Sequence, residues 1–319
     1  MKVRSILILV GAAAALWGAW FFWLGRTAGS DERREEAARL LPGLDVPRVE
    51  KIEIEGPHGA VALERRGADW RIGRPIDDAA DGETVRTLLR ALAFAKAETR
   101  LGRDEVQGGE EATGFARGVG ATLTLGGQTR ALRVGAAEAP GGRRYAEVAG
   151  DDSYAVVPGE LFDLLDRPAD DLRDKRLVPA SSKEIARFTI ARAGAAAATF
   201  ARDGAEGWRF EEGGGAAADA TAVGSLLAQI CALRADQYFA APPADAAAGA
   251  PAEATIALFK GDGTEAARIE FAGEATPGGA RYGRVGGRPG VFLANLPGLW
   301  AELQKDPASF APEPPPAAK

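Results

Sequence analysis

The hydrophobic and polar positions of this chain follow two rhythms, and the change comes after residue 24. Ser5 to Leu24 carries no charged side chain. A run of that length is what a helix needs to cross ~30 Å of hydrocarbon. Trp17, Trp20, Phe21, Phe22 and Trp23 crowd its end. Aromatic rings suit the headgroup layer, where an apolar body and a polar edge are both satisfied. The pattern predicts a transmembrane anchor within residues 1–29. A cleaved signal peptide is the alternative, and Thr27-Ala28-Gly29 keeps it open. Such a peptide has an apolar core of only about 7–15 residues. Lys2 and Arg4 precede the run, and Arg26 alone follows it closely. Positive charge favours the inner side, so the expectation is a single-pass protein of the bacterial inner membrane. Its bulk would be periplasmic or otherwise extracytoplasmic. Ser30 is placed to cap a juxtamembrane helix over 30–44, with acids in its first turn and Pro42-Gly43 as its stop.

Beyond the anchor the period changes to two. Ile52 and Ile54, Val61 and Leu63, and Trp70 and Ile72 alternate with polar residues. Alternation of this kind predicts half-buried strands in antiparallel sheets. Gly56-Pro57, Gly67-Ala68-Asp69, Gly126-Gly127 and Asp262-Gly263 punctuate them as turns. Between strands, Val85, Leu88, Leu89 and Leu92 recur at i, i+3, i+4 and i+7, which predicts a helix with one apolar stripe.

This grammar is written twice. Trp70 aligns with Trp208, and Leu88, Leu89 and Leu92 with Leu226, Leu227 and Ile230, at an offset of 138. Gly141–Val148 (GGRRYAEV) aligns with Gly278–Val285 (GGARYGRV) at 137. A near-constant offset over so long a stretch marks an internal repeat. The expectation is an α+β protein with an N-terminal transmembrane helix and two tandem repeats, 45–179 and 180–310. Each repeat would hold a mainly antiparallel sheet, one main packed helix and shorter C-terminal helices. Ala240–Ala252 reads as a loop, and 311–319 as a disordered Pro-rich tail.

Charge and composition narrow the function. The net charge of −6 argues against a nucleic-acid surface, which needs clustered Lys and Arg. One cysteine, Cys231, permits no internal disulfide. One histidine, His58, sits in a turn and supplies no triad or His-based metal site. No G-x-x-x-x-G-K-[ST] loop occurs, so the chain has no such ATP site. Asp77-Asp78, Asp151-Asp152 and Asp170-Asp171 are adjacent carboxylates, which generally point apart. They read as turn and cap residues. The sequence therefore predicts a non-enzyme with no cofactor and no metal. Arg144-Tyr145 and Arg281-Tyr282, repeated after Gly-Gly, are the candidate binding surface, with the arginines as exposed donors. A hairpin followed by a core aromatic is the plainer reading of the same residues.

Several of these features together resemble the DUF4340 family of membrane-anchored bacterial proteins. They are the apolar helix, Val49-x-x-Ile52-x-Ile54-Glu55, Trp70-Arg71, the Thr122–Gly135 hairpin, Arg143–Val148 and Asp171-Leu-Arg-Asp-Lys-Arg-Leu177. The likeness is best from Val49 to Leu177. Gly114-Phe115-Ala116-Arg117-Gly118 departs from it. The resemblance implies no catalytic residues. It implies company, because such proteins are often encoded beside ABC-type transporter subunits of the gliding-motility kind. The expected function is a non-enzymatic membrane-anchored accessory or scaffold subunit of an ABC-type transport or envelope complex. Permease and ATPase subunits would be its partners, and Gly11–Ala15 and Gly18 would allow close helix pairing. The alternative is an extracytoplasmic glycan- or peptidoglycan-binding protein using the Tyr145 and Tyr282 surfaces. A carboxylate hydrolase on Asp151 and Asp152 has the least support, because no convergent groups accompany them.

Overall fold

The computed structural model describes residues 34–204, 207–212, 215–240, 243, 251–276 and 279–312. The Ser5–Leu24 segment, most of the Ala240–Ala252 stretch and all but the start of the Pro-rich tail lie outside them. Among the described residues no helix is long and apolar enough to cross a membrane.

The alternating segments form two sheets, each of nine strands. The first contains β1 (Val49–Gly56), β2 (Gly59–Arg66), β3 (Asp69–Arg74), β4 (Asp78–Ala79) and β5 (Thr99–Gly102). It also contains β6 (Val119–Leu125), β7 (Gln128–Ala139), β8 (Arg143–Val148) and β9 (Ser153–Pro158). Its order is β4-β3-β2-β1-β6-β7-β8-β9-β5. The second sheet is built from β10 (Ile185–Arg192), β11 (Ala198–Asp203), β12 (Gly207–Phe210), β13 (Ala217–Ala218) and β14 (Gln237–Phe239). Its remaining strands are β15 (Ala254–Lys260), β16 (Glu265–Thr276), β17 (Ala280–Val285) and β18 (Val291–Asn295). Its order, β13-β12-β11-β10-β15-β16-β17-β18-β14, repeats the first strand for strand. The antiparallel tandem repeat expected from the sequence is what the chain forms.

One long helix serves each sheet. Helix α1 (Gly82–Phe94) follows β4 in the chain and leads to β5. These strands lie at opposite edges of the sheet, so the helix must traverse a face. It buries Val85, Leu88, Leu89 and Leu92. Short helices α2 (Gly109–Thr113) and α3 (Glu160–Leu165) follow. Helix α4 (Ala220–Cys231) buries the matching Val223, Leu226, Leu227 and Ile230. Asp219 caps it, its carboxylate accepting from the N–H groups of Thr221 and Ala222. The short α5 (Pro297–Leu303) closes the second copy. Each buried leucine contributes roughly 1.5–3 kcal/mol, so the stripe and not helix propensity holds these elements in place.

The chain divides into two compact units, Met1–Trp70 with Gly82–Pro168, and Arg71–Asp81 with Ala169–Lys319. The repeat also begins earlier than the tryptophan alignment suggests. Helix geometry, expected to run to Pro42, ends at residue 38. The Leu40 N–H instead donates to Ala95 C=O, and Ala97 N–H to Ala38 C=O. Leu40 and Leu41 are buried. In the second unit Leu177 N–H donates to Leu233 C=O, and Ala235 N–H to Lys175 C=O. Arg39-Leu-Leu-Pro and Arg176-Leu-Val-Pro are the same element. Burying two apolar side chains outweighs continuing a helix.

The copies differ where their cross-strand pairs differ. In the first unit Ala146 faces Ala155 across β8 and β9. In the second, Gly283 faces Phe292. A Cβ on Gly283 would overlap the Phe292 ring and the Glu270 carbonyl oxygen. The volume removed at one position is filled by its partner. Gly283→Ala is therefore expected to cost about 1–3 kcal/mol by overpacking. A double-mutant cycle in urea should show this penalty shrinking in a Phe292→Ala background. Additive penalties would show that the two positions do not share the space.

Candidate functional site

The structure places the Arg-Tyr pairs in equivalent positions, at the start of β8 and β17. Arg144 is half-buried, its guanidinium 5.0 Å from the Phe162 ring centroid on α3 and donating to the Ala136 carbonyl. Arg281 is buried and lies 3.6 Å from the Trp300 ring centroid on α5. It donates to Glu253 Oε2 at 2.8 Å and to Ala272 O at 3.3 Å. Tyr282 is buried against Phe239, with ring centroids 6.1 Å apart, while Tyr145 is half-buried. Each arginine fastens an aromatic residue of the next helix to its own sheet. The guanidinium groups are thus engaged within their units and are not exposed donors.

A more open feature crosses the polar face of the first sheet. Ile52 and Ile54 point into the core, so Glu53 and Glu55 point away from it. Glu53 lies opposite Thr122, and Glu55 opposite Gly120. Thr122 is opposite Ala131, and Gly120 opposite Arg133, which faces Glu147. Small residues form the floor, and charged ones the walls, of a trough of about 480 Å³. Lys51 Nζ reaches Glu53 at 2.8 Å, and Arg103 reaches Glu147 at 2.7 Å. Glu55 also lines a second hollow of about 750 Å³, with Pro57, Arg117, Phe162 and Asp166. Arg144 supports this hollow from behind through Phe162 and Ala136. His58 stands near it, its Nδ1 2.9 Å from Asp166 Oδ1. By strand register, with Phe188 and Ile190 in the places of Ile52 and Ile54, the residues matching Glu53 and Glu55 in the second copy are Thr189 and Ala191. The duplicated scaffold has therefore diverged in charge on this face.

The second unit contains a buried charge cluster around Asp78, a residue expected from the sequence to serve in a turn or cap. Arg173 is fully buried, with Nε 2.8 Å and Nη2 2.7 Å from Asp78 Oδ2. Arg288 reaches the same carboxylate, Nε at 3.0 Å from Oδ1 and Nη2 at 2.9 Å from Oδ2. The Tyr238 ring lies 3.9 Å from the Arg173 guanidinium and 4.8 Å from that of Arg288. Arg173 also donates to Pro289 O at 2.6 Å, and Arg288 to Asp174 O at 2.6 Å. Burial pushes the Tyr238 hydroxyl up to about 12. Asp174 is pulled upward by burial, but its bonds from the Arg176 side chain and N–H outweigh this and hold it below 3.8. Asp78 and Arg173 come from segments the sequence had marked, but nothing local joins them. The Leu172-Arg173-Asp174-Lys175-Arg176 motif was the signal. The charged groups bind one another and neighbouring carbonyls, while the buried Tyr238 hydroxyl has no hydrogen-bond partner; the cluster is a fastening. Among the described residues no three His, Cys, Asp or Glu side chains gather to hold a metal ion.

A pH prediction follows from Asp174 and from Asp151. The Ser153 hydroxyl and N–H hold the Asp151 carboxyl below 3.8. A depressed folded pKa gives stability that is complete above the unfolded value and lost as pH falls through the folded one. Melting temperature should be flat from neutral pH down to about 5 on this account and fall below about 4. Asp174→Asn should flatten that acid limb. An unchanged limb in a pH series of melts would contradict the assignment. Cys231 is half-buried, and burial pushes its thiol up to about 11. It should react with maleimide far more slowly than free cysteine at neutral pH. Full labelling of the folded chain within minutes would contradict this.

The architecture is thus a tandem duplication of one nine-stranded antiparallel α+β unit. The family model described as a domain of unknown function, DUF4340, matches residues 70–253, more than half the chain, and the protein belongs to that family. No curated protein and no solved structure matches it.

Proposed function

We propose that this protein is a non-enzymatic, membrane-anchored accessory subunit of an ABC-type transport or envelope complex. The uncharged Ser5–Leu24 segment would hold it in the bacterial inner membrane and present the duplicated units on the outer side. The observation that carries the binding role is the trough across Glu53, Glu55, Thr122, Ala131, Arg133 and Glu147. It is an open surface with a small-residue floor, suited to an extended segment of a partner protein. The diverged second copy supports the reading: it carries Glu270 and Arg284 where the first has Arg133 and Glu147, and it lacks the Glu53 and Glu55 pair, so that acidic pair is particular to the first unit. The neighbourhood implied by the family resemblance points to permease and ATPase subunits as the partner class. The glycan-binding alternative drew on exposed arginines, and the engagement of Arg144 and Arg281 inside their units weakens it.

A photo-crosslinking residue at Thr122 in cells tests the trough. The expected result is one discrete membrane-protein adduct, absent when the residue is placed at exposed Glu211 and reduced by Glu55→Lys. Equal adducts at both positions would overturn the assignment. Deleting residues 1–29 should move the protein wholly to the soluble fraction, since a spanning helix anchors in effect irreversibly. Retention of the truncated chain on carbonate-washed membranes would contradict the anchor.

A further inference from the structure

Phe94 is the large hydrophobic side chain that stands exposed among the described residues, at 61%. It ends α1, but it is not part of that helix's buried stripe. Two residues past Leu92, it points about 200° around the helix axis from it. Its helical neighbour one turn back, Arg90, is exposed, and so is Lys96. The Arg39 guanidinium lies 4.9 Å from the ring centroid. Arg39 belongs to the segment by which the chain enters the first unit, and it bridges to Lys96. Phe94 therefore sits beside the entry point of the chain. From Leu24 to Arg34 even a fully extended chain reaches at most about 35 Å. Lys96 pairs with Glu35 and Arg39 with Glu36, so it is the exposed ring itself, on a short tether to a spanning segment, that has the chemistry of a headgroup-layer anchor.

The internal repeat supplies an independent comparison. At the established offset Leu92 matches Ile230, Ala93 matches Cys231, and Phe94 matches Ala232. The copy next to the apolar segment carries the aromatic, and the other copy carries a methyl. A folding role for the ring would be shared by both copies of the helix. A role set by closeness to the membrane belongs to the first copy alone.

We propose that Phe94 inserts into the lipid headgroup layer and seats the first unit on the bilayer surface. The inference rests on the reading of Ser5–Leu24 as a membrane anchor. The test uses the full chain in vesicles of phosphatidylcholine and phosphatidylglycerol, in a Cys231→Ala background. An environment-sensitive fluorophore is placed at Arg90→Cys or, separately, at Ala28→Cys, and quenched by a spin label on the lipid headgroup. Both positions are expected to be quenched. Phe94→Asp, and the uncharged Phe94→Ser, should cut quenching at position 90 several-fold and leave position 28 unchanged. Phe94 is exposed, so both variants should keep the wild-type circular dichroism spectrum. Quenching at 28 but not at 90, or quenching at 90 that ignores Phe94, overturns the inference while the anchor stands. Loss of quenching at both positions overturns the anchor and the inference together.

Discussion

Replacing Asp78 with alanine is expected to cost about 3–5 kcal/mol, the scale for breaking a buried ion pair by removing one partner. The reason is geometric. One carboxylate serves Arg173, which has no exposure, and Arg288, which is largely buried. Its loss leaves two guanidinium groups in a low-dielectric site facing an aromatic ring and carbonyl oxygens, with the longer contact from Arg173 to the part-exposed Asp170 carboxylate, at 3.3 Å, left in place. Those carbonyls satisfy some N–H donors but neutralise no charge. The preceding residue is the control. Asp77 pairs with Arg71 at 2.6 Å, with side chains 69% and 35% exposed. Exposed pairs of this kind contribute less than about 1 kcal/mol. Hydrogen exchange of the full-length protein checks the contrast. Asp78→Ala should deprotect the amides of Asp81 and Asp174, which bond to Leu172 and Ala79, while Asp77→Ala should not. Equal effects of the two substitutions would show that the cluster does not fasten the segment.

Phe200→Ala should cost a similar amount, about 3–5 kcal/mol. Phe200 is fully buried in β11 and lies opposite Phe188 in β10. The two rings are stacked with centroids 5.0 Å apart. Phe210 and Phe310 approach the same ring at 5.2 and 5.6 Å. Truncation removes the shared member of this aromatic group and leaves a cavity its rigid neighbours cannot close. Phe200→Leu should recover more than half the loss, because it refills much of the volume. Urea titration of both variants reads this directly, and a loss under 1 kcal/mol for the alanine variant, well below the range cited for such truncations, would contradict the packing account.

The repeat and its sheets were legible because they rest on local pattern. Ile52 and Ile54, or Leu88, Leu89 and Leu92, reveal their buried faces by spacing alone. Hairpin turns such as Gly126-Gly127 were equally visible, and both glycines adopt positive φ, 55° and 76°. The charge cluster was not legible. Asp78 lies 95 residues from Arg173 and 210 from Arg288, and the pairing depends on tertiary geometry. The Arg-Tyr repeat was visible in the letters. Whether its arginines faced solvent depended on Phe162 and Trp300, contributed by helices further along. The trough was readable only in outline. Alternation puts Glu53 and Glu55 on the outer face, but the strand order that sets them beside Thr122 and Arg133 is a crossover no local pattern specifies. The upstream start of the repeat, Arg39-Leu-Leu-Pro against Arg176-Leu-Val-Pro, was present in the letters. It was masked by the helix-like charge pattern before it.

The most direct test of the central claim is affinity purification of the tagged full-length protein from crosslinked native membranes, followed by mass spectrometry. The account predicts enrichment of permease and ATPase subunits of an ABC-type system, and its loss on Glu53→Lys with Glu55→Lys. Recovery of the intact protein from the membrane fraction without such subunits would contradict it.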